Sequence, residues 1–234
     1  MVSIGLIGGI GPESTIDYYR LFIALYRQRK PDGSYPSLLI NSIDMTRMLE
    51  LVGKNDLSGL AQYLAGEVRR LADAGATLAL MASNTPHIVF DDLQGLAPIP
   101  LISIVETACQ AAMGRGMKRV GLFGTKFTMQ GGFYQKVFER SGIVLLTPDA
   151  AAQEYIHAMY MTELVNGVYH DEVRERFIAI ARELRERQGI DGLILGGTEL
   201  PLLLRDAEGL DIPMIDTARV HVERAITEML TVSQ

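Results

Sequence analysis

Short apolar runs alternate along this chain with longer stretches in which apolar residues recur every three or four positions. The short runs are rich in branched aliphatics and are bounded by turn residues, as strands buried on both faces are. They predict strands over Ile4–Ile7, Ser37–Asn41, Thr77–Ala82, Pro100–Ile102, Arg119–Phe123, Ile143–Leu146, Gly192–Leu195 and Pro213–Ile215. The longer stretches predict helices. Leu60, Leu64, Val68 and Leu71 fall on one helical face, and Val173, Phe177, Ile180 and Leu184 on another. Gly189 stands where the second of these helices should stop. Strand-helix alternation of this kind predicts an α/β protein built on mostly parallel sheets.

The pattern repeats weakly. Ala74-Gly75 leads through a strand to Ala82-Ser83-Asn84-Thr85, and Gln188-Gly189 leads through a strand to Gly196-Gly197-Thr198-Glu199. Each is followed by an Ile-Pro strand, at Ile99-Pro100 and Ile212-Pro213. Two similar α/β domains follow, with crossings near residues 98 and 209. The first domain is expected over 1–98 plus 209–234, with the last helix, Thr217–Leu230, returning to it, and the second over 99–208. Ligands of open α/β sheets bind outside the carboxyl ends of the strands, so a cleft between the halves is expected to hold the site.

Composition narrows the classes. Apolar residues make up 48% of the 234 and charged residues 21%, as in ordinary globular proteins. The net charge is −6 with no basic stripe, which argues against nucleic acid as a partner. The densest basic cluster, Arg27 to Lys30, sits at an expected helix end, where cations suit the dipole. No apolar run reaches the roughly 18 residues of a membrane span, and the start has no basic leader. A single cysteine, Cys109, forbids an intrachain disulfide, so a cytoplasmic protein is expected. No metal site is expected.

Four segments can carry chemistry. Gly8-Gly9-Ile10-Gly11-Pro12-Glu13-Ser14-Thr15 lies between a strand and a helix, where glycines allow tight turns and free N–H groups suit an anion. It fits neither the dinucleotide fingerprint nor a P-loop, and reads equally well as a tight strand-helix turn. Ser83-Asn84-Thr85-Pro86-His87 offers a nucleophile or anion donor in Ser83, or a helix cap. His87 can orient a catalytic group or simply pack. In Gly124-Thr125-Lys126-Phe127-Thr128-Met129, the two threonines can bind an anion or cap a helix. Gly196-Gly197-Thr198-Glu199 exposes backbone N–H groups, a hydroxyl and a carboxyl able to serve as acid or base.

Together with Phe133-Tyr134 and with Glu163-Leu164 before Gly167, these motifs resemble the aspartate/glutamate racemase superfamily over nearly the whole chain. The resemblance implies two similar domains related by a pseudo-twofold axis, an interdomain active site for a small amino or dicarboxylic acid, no cofactor and a homodimer. It also implies two thiols acting on opposite faces of the substrate α-carbon, and the motifs place them at Ser83 and Gly197, where this chain has none. Catalytic candidates are therefore Ser83, Gly197, His87 and Glu199. Substrate-binding candidates are Gly9, Thr15, Asn84, Thr85, Thr125, Thr128 and Thr198. Three readings stay open: a related lyase or isomerase reaction using other acid-base groups, a non-catalytic carboxylate-binding protein, and an inactive copy.

Overall fold

The computed structural model describes residues 2–204 and 210–231. Contacts divide the chain into two units, Met1–Ile104 with Ala218–Gln234, and Val105–Thr217.

The first unit opens with β1 (Ile4–Gly8), α1 (Pro12–Arg29), β2 (Leu38–Ser42), α2 (Met45–Gly53), α3 (Leu57–Asp73), β3 (Leu78–Met81), a 3-10 turn over Thr85–Val89 and α4 (Phe90–Leu96). Its sheet has the order β2-β1-β3 and is parallel, with Ile4 opposite both Leu38 and Leu78. Every residue of β1 is buried, because a central parallel strand is covered on both faces. Leu60, Leu64, Val68 and Leu71 of α3 are buried as their spacing predicted. The strand expected at Pro100–Ile102 shrinks to a single parallel bridge between Ala79 and Leu101. Ala79 donates its N–H to Pro100 and accepts one from Ile102, both at 3.0 Å, and helix follows from Ile104, so no longer ladder can form.

The second unit holds most of α5 (Ile104–Gly114), then β4 (Arg119–Gly124), α6 (Lys126–Gln130), α7 (Phe133–Arg140), β5 (Val144–Leu146), α8 (Ala150–Thr162), a 3-10 turn over Leu164–Asn166, α9 (Asp171–Gln188), β6 (Gly192–Gly196), α10 (Leu200–Leu204) and β7 (Met214–Asp216). The sheet runs β5-β4-β6-β7, again parallel. Gly189 ends α9 in the left-handed conformation, its N–H bonded to Arg185 O at 2.8 Å. The last helix, α11 (Thr217–Thr231), packs Ala218, Val222, Ala225, Ile226 and Met229 into the first unit's core beside Tyr18, Phe22 and Leu80.

Both sheets place the unit's first strand between its second and third, and both end on the Ile-Pro segment. The weak sequence repeat is thus a repeat of topology. The crossings differ from those expected. They lie at 104/105 and 217/218, not 98/99 and 208/209, and position 209 is outside the described residues. The reason is pairing: Leu101 bridges to Ala79, and Met214 pairs with Leu193, so each Ile-Pro segment completes its own half before the chain leaves.

Candidate functional site

In the first unit the candidates cluster at the carboxyl ends of β1 and β3. Gly9 has φ +78°, and a Cβ there would run into the backbone of Ile43. Its N–H donates to Thr15 Oγ1 at 2.8 Å, and that hydroxyl donates to Gly11 O at 3.3 Å. Thr15 therefore closes the glycine turn upon itself. Ser14 Oγ, fully buried, donates to Ala82 O at 2.7 Å and ties the turn to the end of β3. Ser83 follows, half-buried, then Asn84 and Thr85, both buried. Asn84 holds the N-cap position of the 3-10 turn without a side-chain capping bond.

His87 is packed into the interior of the first unit. It is 2% exposed and stacks on Phe90 at 5.3 Å between centroids, with 5° between the planes. Its Nε2 accepts the Ile104 N–H at 3.1 Å, so the ring's own proton sits on Nδ1. With Nε2 occupied in this way, that nitrogen does not serve Ser83. The ring lies 6.2 Å from that of His221. His221 Nε2 donates to Ile102 O at 2.9 Å, which leaves Nδ1 to accept the Tyr18 hydroxyl at 2.8 Å. Burial holds both imidazoles neutral, His87 at about 3 and His221 at about 4.

In the second unit the candidates lie at the ends of β4 and β6. Thr125 caps α6, its Oγ1 accepting the Thr128 N–H at 3.2 Å and lying 3.1 Å from Thr128 Oγ1. The cap reading of this threonine holds. After β6 come Gly197, buried, and Thr198 and Glu199, 2% and 1% exposed. Glu199 Oε2 accepts from Thr198 Oγ1 at 3.0 Å and from the hydroxyl of Tyr160, on α8. Burial, and then the charge of Glu199, holds the Tyr160 phenol well above its ordinary pKa. Cys109, at 1% exposure, has its thiol pushed up by burial, so it is no nucleophile in waiting.

Sequence reasoning missed Tyr160, Ser14, Tyr18 and His221. Ser14 sat inside a motif without standing out from its neighbours. Tyr18, Tyr160 and His221 lie on helices, and their partners are 39 to 203 positions away. No local pattern announces such contacts.

Comparison with known proteins gives a consistent answer. The sequence matches the family described as Asp/Glu/hydantoin racemase over residues 7–225. A broad specificity amino-acid racemase, RacX of Bacillus subtilis, is 26% identical, with 97% of this chain and 98% of that protein covered. The match to glutamate racemase of Aquifex aeolicus, 28% identical, spans 64% of this chain but only 57% of that enzyme. Among solved structures, a Yersinia pestis protein assigned as an Asp/Glu racemase superposes with a TM-score of 0.88 at 32% identity, covering 98% of this chain and all of that one. An aspartate racemase homologue from Pyrococcus horikoshii superposes at 0.83 with 34% identity, covering 99% and 100%. With a family match over almost its full length and two such structural relatives, this chain belongs to the Asp/Glu/hydantoin racemase family.

Proposed function

We propose that this chain binds a small amino or dicarboxylic acid through its strand-end turns, and that two-thiol racemisation is not its chemistry. One observation carries the second half: the sequence has a single cysteine, and that thiol is buried in α5 against Val137 O. A serine hydroxyl at 83 has no tuned thiolate's reactivity, and Gly197 has no side chain at all. Family membership supports the first half, as do the Asn84-Thr85 and Thr198-Glu199 turns at the ends of β3 and β6. The expectations of a homodimer and of chemistry without a cofactor come with the family resemblance, and that of a cytoplasmic protein comes from the single cysteine.

Calorimetry against both enantiomers of aspartate and glutamate, and against succinate and glutarate, tests the ligand class. At least one should bind with a dissociation constant of roughly a millimolar or tighter, which corresponds to about −4 kcal/mol. Silence from the whole panel would reject the reading. Inversion at the α-carbon of a bound amino acid that is abolished by Cys109→Ser would reject the claim about thiol chemistry. Sedimentation of the same sample at twice 25.7 kDa checks the dimer.

A further inference from the structure

Gly197 has a neighbour in the place of a side chain. A Cβ built on it would stand 2.9 Å from Cζ and 3.0 Å from Oη of Tyr160, and nearer still to Cε2. The Tyr160 ring, 6% exposed, therefore fills the volume that any residue other than glycine would need. The ring is not a passive filler, because its hydroxyl donates to Glu199 Oε2, and Glu199 lies two positions beyond the glycine. Thr198 Oγ1 holds the same oxygen at 3.0 Å. A phenol, a carboxylate and a hydroxyl thus form one connected group at the end of β6, and this end was marked from sequence as a catalytic position.

We propose that Tyr160 and Glu199 are a proton-transfer couple, acting from the space a side chain at 197 would occupy. The inference rests on the reading that the chain binds a small amino acid. With the ligand α-carbon against Oη, the α C–H bond breaks and its proton forms an O–H bond at Oη. The proton Oη carried passes to Glu199 Oε2 in the same movement. The electron pair stays on the ligand, delocalised from the α-carbon into its carboxylate. The reverse transfer returns a proton from Glu199 through Oη to the same face, so Glu199 is a carboxylate again and Tyr160 holds one proton throughout. Between the two transfers the Glu199 carboxyl O–H exchanges with solvent. One couple serves one face, so the α-hydrogen exchanges and the configuration is retained. The raised pKa of Tyr160 fits this role, since the group must enter each cycle protonated.

The test is incubation of the full chain in D₂O with each enantiomer of aspartate and glutamate, read by proton NMR and chiral separation. Deuterium should enter the α-carbon without inversion. Tyr160→Phe keeps the ring against Gly197 and removes only the hydroxyl. It should cut exchange by roughly 10²-fold or more while leaving calorimetric affinity within a few-fold. Glu199→Gln should also slow exchange. Three results would overturn the proposal: wild-type exchange in Tyr160→Phe, binding without exchange in the unmodified chain, or exchange with inversion. Absence of binding by every amino acid would instead reject the ligand reading on which the proposal stands, and circular dichroism of each variant separates lost chemistry from lost fold.

Discussion

At the end of β6 the space beside Gly197 is taken by the Tyr160 ring, and this settles what position 197 tolerates. Gly197 does not adopt the left-handed φ that favours glycine, so the backbone itself would accept an L-residue. Replacing such a glycine by alanine ordinarily stabilises a protein by about 0.4–1 kcal/mol, through the entropy of the unfolded chain. Forcing a methyl into a filled site costs about 1–3 kcal/mol. The second effect is larger, and the ring cannot swing away without breaking its bond to Glu199. Gly197→Ala is therefore expected to lower unfolding free energy by about 1–2 kcal/mol in urea titration. Adding Tyr160→Leu should make the double variant less destabilised than the sum of the two single changes, the signature of residues in contact. An alanine variant as stable as the parent would mean that the ring does not stand there. A thiol introduced at 197 meets the same obstacle, so Gly197→Cys needs a smaller residue at 160.

Among the elements, α2, α3 and α8 begin on local aspartate caps. Asp44 accepts the Thr46 N–H at 2.8 Å, Asp56 that of Gly59 at 2.9 Å, and Asp149 that of Ala152 at 2.9 Å. Each aspartate satisfies an N–H that its helix leaves unpaired. Asp149 caps α8, the helix that carries Tyr160. Asp149→Ala should cost about 0.5–2 kcal/mol of stability, measured by chemical denaturation, with an unchanged denaturant slope. No loss at all would show that solvent replaces the cap. The 3-10 turn after β3 behaves otherwise. Neither Ser83 nor Asn84 caps it by a side-chain bond, and what anchors its far side is the Ile104 N–H held by His87. That contact spans 17 positions and joins the turn to the first residue of α5.

For the molecule as a whole, the two buried imidazoles make folding sensitive to acid. Their folded pKa values, about 3 for His87 and about 4 for His221, lie below the roughly 6.5 of an unfolded chain. Between those limits the unfolded state binds more protons than the folded one, so stability falls as pH falls. Above about pH 6.5 neither state protonates these rings, and their contribution to stability is complete. From pH 6.5 to about 5.5 unfolded carboxylates, with pKa values near 4, take up few protons, so the slope there reports histidines. It should approach about 1.4 kcal/mol per pH unit for each of the two. Thermal melts from pH 8 to 4 check this: a flat melting temperature down to pH 5 would show that the imidazoles are not held neutral.

The sequence by itself determined the class of fold, the positions of its strands along the chain and the family to which it belongs. These properties are written in nearest neighbours: branched aliphatic runs bounded by turns, apolar spacing of three and four, and glycines at strand ends. All eight expected strands correspond to a strand or bridge, Pro100–Ile102 as a single bridge. Tertiary structure alone decided how the groups within each cluster are used. The Thr15 hydroxyl bonds within the glycine turn and the Thr125 hydroxyl caps α6. His87 had two readings, and the structure packs its ring on Phe90 with Nε2 accepting the Ile104 N–H. The two crossings also lie later in the chain than expected, because the Ile-Pro segments pair across a sheet with residues 20 or more positions earlier. Tyr160 stood in no motif, since what marks it is a glycine and a carboxylate nearly forty residues on. A chain encodes such a contact only through the packing of a whole helix against a whole sheet, and no window of sequence is wide enough to hold both.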